Sequence, residues 1–207
     1  RTQYTKLFLN AVNGRLEPAP VAQPASVSYG AAVAELAEAE RATFEITFDR
    51  DTELTGYMKL RVFMSCTDGD DIDVFVGLHK LDATGAVVPF AYYAQFDDGP
   101  VALGWLRASH RELDLKKSTE WQPVHTHARI QKIAPGEIVP LDIEIWPSAT
   151  SFRSGETLRL TVQGTDINRY PKDKVPVYFR HEASANRGQH IIHCGGEHES
   201  HLLVPVV

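Results

Sequence analysis

Cysteine is nearly absent: Cys66 and Cys194 are the whole complement, too few for the disulfide framework that staples small secreted domains. One bridge between them would be allowed. Two reduced, buried thiols are the expected arrangement, and with them a cytoplasmic location. A basic excess is also missing. Lys and Arg number 21 against 27 Asp and Glu, leaving a net charge of −6. Such a surface does not hold a phosphate backbone, so no nucleic-acid partner is expected. No apolar run approaches the roughly 20 residues that cross a bilayer, and no signal-peptide pattern opens the chain, so no membrane partner is expected either. No repeat of fixed period and no low-complexity run occurs. The chain starts at Arg1 inside strand-like sequence, YTKLFL, which points to a processed chain or a piece of a longer one.

Familiar catalytic signatures are missing as well. A nucleophile elbow needs small residues around its serine because the strand-to-helix turn is tight; no G-x-S-x-G occurs and no strand–helix alternation would carry one. Ser109 and His110 are neighbours, but neighbours on a strand face opposite ways and do not share a proton readily. A serine triad within the chain is therefore not expected. The acidic run TDGDDID gathers Asp68, Asp70, Asp71 and Asp73, yet it lacks the central glycine and terminal glutamate of a calcium loop. It reads as a turn in which Asp68 bonds local amides and leads into a strand.

What is present is alternation. Phe44, Ile46 and Phe48 share one face of TFEITF, with Thr43, Glu45 and Thr47 opposite. Met58, Leu60 and Val62 alternate with Lys59 and Arg61, and Ile72, Val74, Val76 and Leu78 fall together. Segments 4–9, 138–146 and 157–163 repeat the period-two pattern of half-buried strands. Asp68-Gly69, Thr84-Gly85, Asp98-Gly99, Pro135-Gly136 and Ser154-Gly155 mark turns between them. The expected fold is all-β, a sandwich or barrel, over 207 residues of which 43% are hydrophobic. Only AAVAELAEAER, 31–41, has helical propensity, with a thin apolar stripe that leaves a short surface helix and a polar loop as alternatives. Segments 17–24, 118–123 and 170–176 carry prolines and read as loops.

Histidine is the other abundance. His190, His193, Cys194, His198 and His201 crowd the last 18 residues. A zinc site needs three or four converging ligands, whereas odd spacing along a strand sends His190 and His193 to opposite faces. Partly exposed strand-end histidines and a buried Cys194 are expected. His125 and His127 share a strand face, with no third ligand evident. Trp105 and Trp146 lie in apolar strand patterns and read as core; Trp121, between Glu120 and Gln122, is the best exposed candidate for a sugar platform, with core or interface burial the expected state of all three. The aromatics of 90–100, Phe90, Tyr92, Tyr93 and Phe96, together with the strand GWLRASHR, are the candidate docking face, with packing of those aromatics under the sandwich as a satellite cluster the equal alternative.

The ordered series YTKLFLNAVNGRL, VSYGA, ATFEITFDRDTELTGYMKLRVFMS, DDIDVFVGLHKLDATG, GWLRASHREL, PGEIVPLDIEIWPSATSFRSGETLRLTVQG and HIIHCGGEHESHLLVPV resembles the C-terminal domain of the X-prolyl dipeptidyl aminopeptidase and cocaine esterase group of serine hydrolases. The likeness runs from about Tyr4 to Val206. It implies a jelly-roll, galactose-binding-like β-sandwich occupying 1–207 as one domain, downstream of an α/β-hydrolase domain in the same parent chain. That absent domain would hold the Ser, Asp and His of the triad, so no catalytic, cofactor-binding or metal residue is assigned to this chain. The resemblance reads 190–206 as a closing pair of strands joined by a tight hairpin at Gly195-Gly196. The expected role is non-catalytic: packing on the catalytic domain and shaping its cleft, with homo-oligomerisation left open. A free-standing carbohydrate-binding module is the alternative.

Overall fold

Alternating apolar side chains require two surfaces to bury them, and the chain folds accordingly. The computed structural model describes residues 2–31, 40–92, 96–168, 181 and 183–207. Its strands are β1 (Gln3–Asn10), β2 (Arg15–Glu17), β3 (Ala25–Gly30), β4 (Arg41–Thr47), β5 (Thr52–Cys66), β6 (Asp73–Leu81), β7 (Val87–Val88), β8 (Phe90–Tyr92), β9 (Phe96–Gly99), β10 (Ala102–Arg107), β11 (Val139–Phe152), β12 (Thr157–Gln163), β13 (Gln189–Cys194) and β14 (His201–Val206). The described helical structure is one 3-10 turn, Ala108–His110. The helix-or-loop stretch 31–41 falls mostly outside the described residues, as does the loop 170–176.

Hydrogen bonds run β10-β6-β12-β4-β2-β1-β14-β5-β13-β3, with β11 on β5 and β7 on β6. Among the described residues all strand pairings are antiparallel except the single β2–β4 bridge, Arg15 with Glu45. The path doubles back as a β-sandwich, so that Leu158, Leu160 and Val162 of β12 and Leu60, Val62 and Met64 of β5 enter one buried cluster. Each such aliphatic side chain contributes about 1.5–3 kcal/mol of transfer free energy. Cys66 and Cys194 are buried, unpaired thiols; burial pushes Cys194 up to about 12, which leaves it inert. Among the described residues no helix is long and apolar enough to cross a membrane.

The C-terminal end differs from the expected hairpin. β13 and β14 do not pair with one another; both pair with the same edge of β5, β13 at Phe63–Cys66 and β14 from Leu54 to Arg61. They lie in line, and the chain between them loops out and returns. Ser200 bridges the break: its hydroxyl accepts from the Phe63 amide at 3.0 Å and donates to the His193 carbonyl at 2.6 Å. Gly195 turns here with φ +76°, where a Cβ would sit 2.2 Å from the Gln23 carbonyl oxygen. Glycine is required by both conformation and space. A 15-residue β5 is long enough to take two strands along one edge, and local pattern does not reveal that.

Candidate functional site

The largest departure from expectation lies where β10, at one end of the strand order, meets β11, the strand branching from β5. β10 is an end strand, and its Gly104 presses on β11 so closely that a Cβ would fall 2.2 Å from the Glu144 carbonyl oxygen. On β11 the register slips between Ile145 and Ser148, leaving Trp146 and Pro147 in a bulge. Proline has no amide to lose from the ladder there, and the bulge re-aims the neighbouring side chain. Trp105 and Trp146 thereby meet edge to face, centroids 5.4 Å apart at 67°. Each is 43% exposed. Neither is core, as had been expected of both. Parity along the strands gives the reason: Leu141, Ile143 and Ile145 point inward, so Glu144 and Trp146 point out, and Leu106 inward places Trp105 and Arg107 outward. The apolar character of tryptophan is a weaker guide than the pleat. Trp121, the best candidate for exposure though burial was expected of all three tryptophans, is half-buried and stacked on Tyr4 at 4.7 Å and 9°.

The indoles rim a groove of about 480 Å³ that also takes in Arg107, His110, His125, His127 and Glu144. His110 comes from the 3-10 turn rather than a strand. Its Nδ1 lies 3.2 Å from Nδ1 of His127, a residue with φ +50°. His125 is half-buried, its Nε2 has no hydrogen-bond partner, and burial holds its pKa below the usual histidine value, aided by His127. Glu144 accepts from the Gln122 amide at 3.1 Å. Arg107 is clamped on Asp73, directly opposite across the β10–β6 ladder, with Nε to Oδ1 at 2.6 Å and Nη2 to Oδ2 at 2.9 Å. Burial opposes ionisation of Asp73, but the Arg107 bonds and the Ala185 amide outweigh it and hold the carboxyl below its ordinary value. Beyond Trp105 a smaller groove of about 190 Å³ contains His181, whose ring touches Trp105 at 5.6 Å and whose pKa is raised by its bond to Asp166. His181 sits in a basic stretch of sequence with no periodicity to flag it, and sequence reasoning missed it.

The remaining candidates are engaged by the chain itself. Ser109 is buried, its amide donating to Asp71 Oδ1 at 2.9 Å. Asp68 Oδ1 takes the Gly69 amide at 2.7 Å, and Lys132 bridges Asp70 and Asp71 at 3.1 and 3.3 Å. His190 and His193 do face opposite ways: His190 is buried against the Tyr29 hydroxyl at 3.1 Å, and His193 meets Ser65 Oγ at 2.9 Å. The partial exposure expected of these histidines fails for His190 and for His201, which is buried with Nδ1 donating to the Glu199 carbonyl at 2.7 Å. Among the described residues no three His, Cys, Asp or Glu side chains are arranged to hold a metal ion. Within 90–100, β8 pairs antiparallel with β9; residue Tyr93 and the side chains of Tyr92 and Phe96 lie outside the described residues.

Residues 1–203 match the family described as the X-Pro dipeptidyl-peptidase C-terminal non-catalytic domain. A CocE/NonD family hydrolase from Staphylococcus aureus superposes with a TM-score of 0.92 at 40% identity, over 100% of this chain and 36% of its own. An α-amino acid ester hydrolase shares the fold at TM-score 0.63 and 16% identity, over 98% of this chain and 36% of its own. A candidate serine esterase of Mycobacterium bovis is 29% identical over 126 residues, 59% of this chain and 18% of its own length. The chain thus spans well under half the length of the relatives it matches.

Proposed function

The chain belongs to the family of X-Pro dipeptidyl-peptidase C-terminal non-catalytic domains, and we propose that its sandwich serves as a wall of a larger serine hydrolase. In this reading an α/β-hydrolase domain of the same parent chain holds the triad and performs acyl-ester or Xaa-Pro hydrolysis. The sandwich packs on it, shapes the cleft and supplies no nucleophile. A cytoplasmic location fits the buried, unpaired thiols. The observation that carries the reading is the match over 100% of this chain to only 36% of the staphylococcal hydrolase. Side by side, the parent protein and the 207-residue chain are assayed on p-nitrophenyl acyl esters and Xaa-Pro chromogenic substrates. The parent turns over and the chain does not. Turnover by the purified chain that one substitution abolishes would defeat the proposal.

A second reading, a glycan-binding module, draws on the exposed Trp105–Trp146 rim with Glu144 and imidazoles beside it. Isothermal titration against a glycan panel tests it; silence across the panel removes it.

A further inference from the structure

We infer that the Trp105–Trp146 groove is the seat on which the catalytic domain of the parent chain lays a cationic side chain, an arginine or lysine, against the two indoles and toward Glu144. The inference rests on the scaffold reading above and adds the surface and its chemistry. Two large indoles, each 43% exposed at one spot, are the composition of an interface core rather than of open surface. Indole faces attract cations through the ring quadrupole, most strongly once water is excluded.

Charge selects the sign of the guest. Among the described residues, Glu144 meets the neutral amide of Gln122, and the one guanidinium on the rim, Arg107, is already neutralised by Asp73. Among the described residues the carboxylate of Glu144 is therefore the rim charge without an ion pair, and it favours a cationic guest over an anionic one. The seat is also pre-organised. Gly104 fixes β10 against β11, the bulge aims Trp146, and the bidentate clamp holds Arg107, so little side-chain entropy remains to be lost on docking. Finally, the staphylococcal chain that contains this fold extends well beyond it, with 36% covered. A covering segment in the same polypeptide is present at high effective concentration.

Hydroxyl-radical footprinting of the full-length parent protein tests the seat without altering it. Leu115 and Ile130, 82% and 66% exposed, serve as open references. After correction for intrinsic reactivity, Trp105 and Trp146 should be oxidised about tenfold more slowly than Leu115, as for residues in a water-excluded interface core. In Glu144→Lys, with unchanged far-UV circular dichroism, their labelling should rise several-fold; unchanged labelling overturns the cationic guest. Open labelling of both indoles with protection elsewhere in the 207 residues overturns the seat and spares the scaffold reading. No protection anywhere in those residues overturns both. Protection that is lost on dilution assigns the groove to a second copy of the protein, and protection that appears only with added glycans assigns it to a sugar; either result overturns the inference.

Discussion

Two regions of this domain look alike in sequence and behave oppositely. The terminal stretch around β13 and β14 and the groove between β10 and β11 both collect histidines at short spacing. At the terminus, His190 and His201 are buried, bonded to Tyr29 and to a carbonyl, and burial drives the His190 pKa down to about 4. At the groove, His110 is half-buried and His127 exposed, beside two indoles in contact with solvent. Composition is shared; burial separates a structural role from an available surface.

The largest effects should come from the two glycines that make these regions. Gly195→Ala meets the Gln23 carbonyl oxygen and demands positive φ, while Gly104→Ala meets the Glu144 carbonyl oxygen. Overpacking and strain of this kind cost about 3 kcal/mol, read as a lowered urea midpoint. Gly104→Ala should also change Trp fluorescence, because it parts the indoles; Gly195→Ala should not. A fluorescence change in both variants would erase the distinction between the regions.

Acid comes next. Burial lowers His190 and His79 to about 4 from 6.5. Between those values the unfolded state binds protons that the folded state refuses, so stability is intact above pH 6.5 and is lost as pH falls toward 4. Each group contributes on the order of 3 kcal/mol at most. Urea melts from pH 7.5 to 4 should show the loss, and His190→Gln should flatten part of it. A stability flat across that window would mean that His190 accepts its proton without penalty.

Tyr29→Phe removes the partner of a buried imidazole and should cost about 1–3 kcal/mol. The smallest effects belong to the groove. Trp105→Ala and Trp146→Ala should show a double-mutant coupling of about 1 kcal/mol, the worth of an edge-to-face pair, and His127→Ala should fall within about 0.5 kcal/mol. Losses there as large as in the core would place the indoles among the fold's supports rather than on its working face.

Much of the fold was legible because pleat and hydrophobicity agree in it. Leu158, Leu160 and Val162, or Met58, Leu60 and Val62, alternate strictly, and each is buried. The groove was legible in part: the strand GWLRASHR stands out as a docking candidate and supplies Gly104, Trp105, Arg107 and His110 to it. Parity along LDIEIW places Trp146 outward with Glu144, yet the size and apolarity of indole argue for the interior. His181 and the Ser200 bridge carried no such signal, since each depends on partners far along the chain or out of period.

By itself the sequence determined most strand faces, turns such as Thr84-Gly85 and Ser154-Gly155, and membership in a family of non-catalytic domains, because these follow from side-chain periodicity and ordered motifs; the expected turn at Asp98-Gly99 lies instead within β9. Tertiary structure alone decided that β13 and β14 share an edge of β5, that His190 is sealed while His127 is not, and that Trp105 meets Trp146. Those outcomes depend on which strands become neighbours. Pairing between segments distant in the chain is set by global packing, and the alternation of any one strand is compatible with several partners.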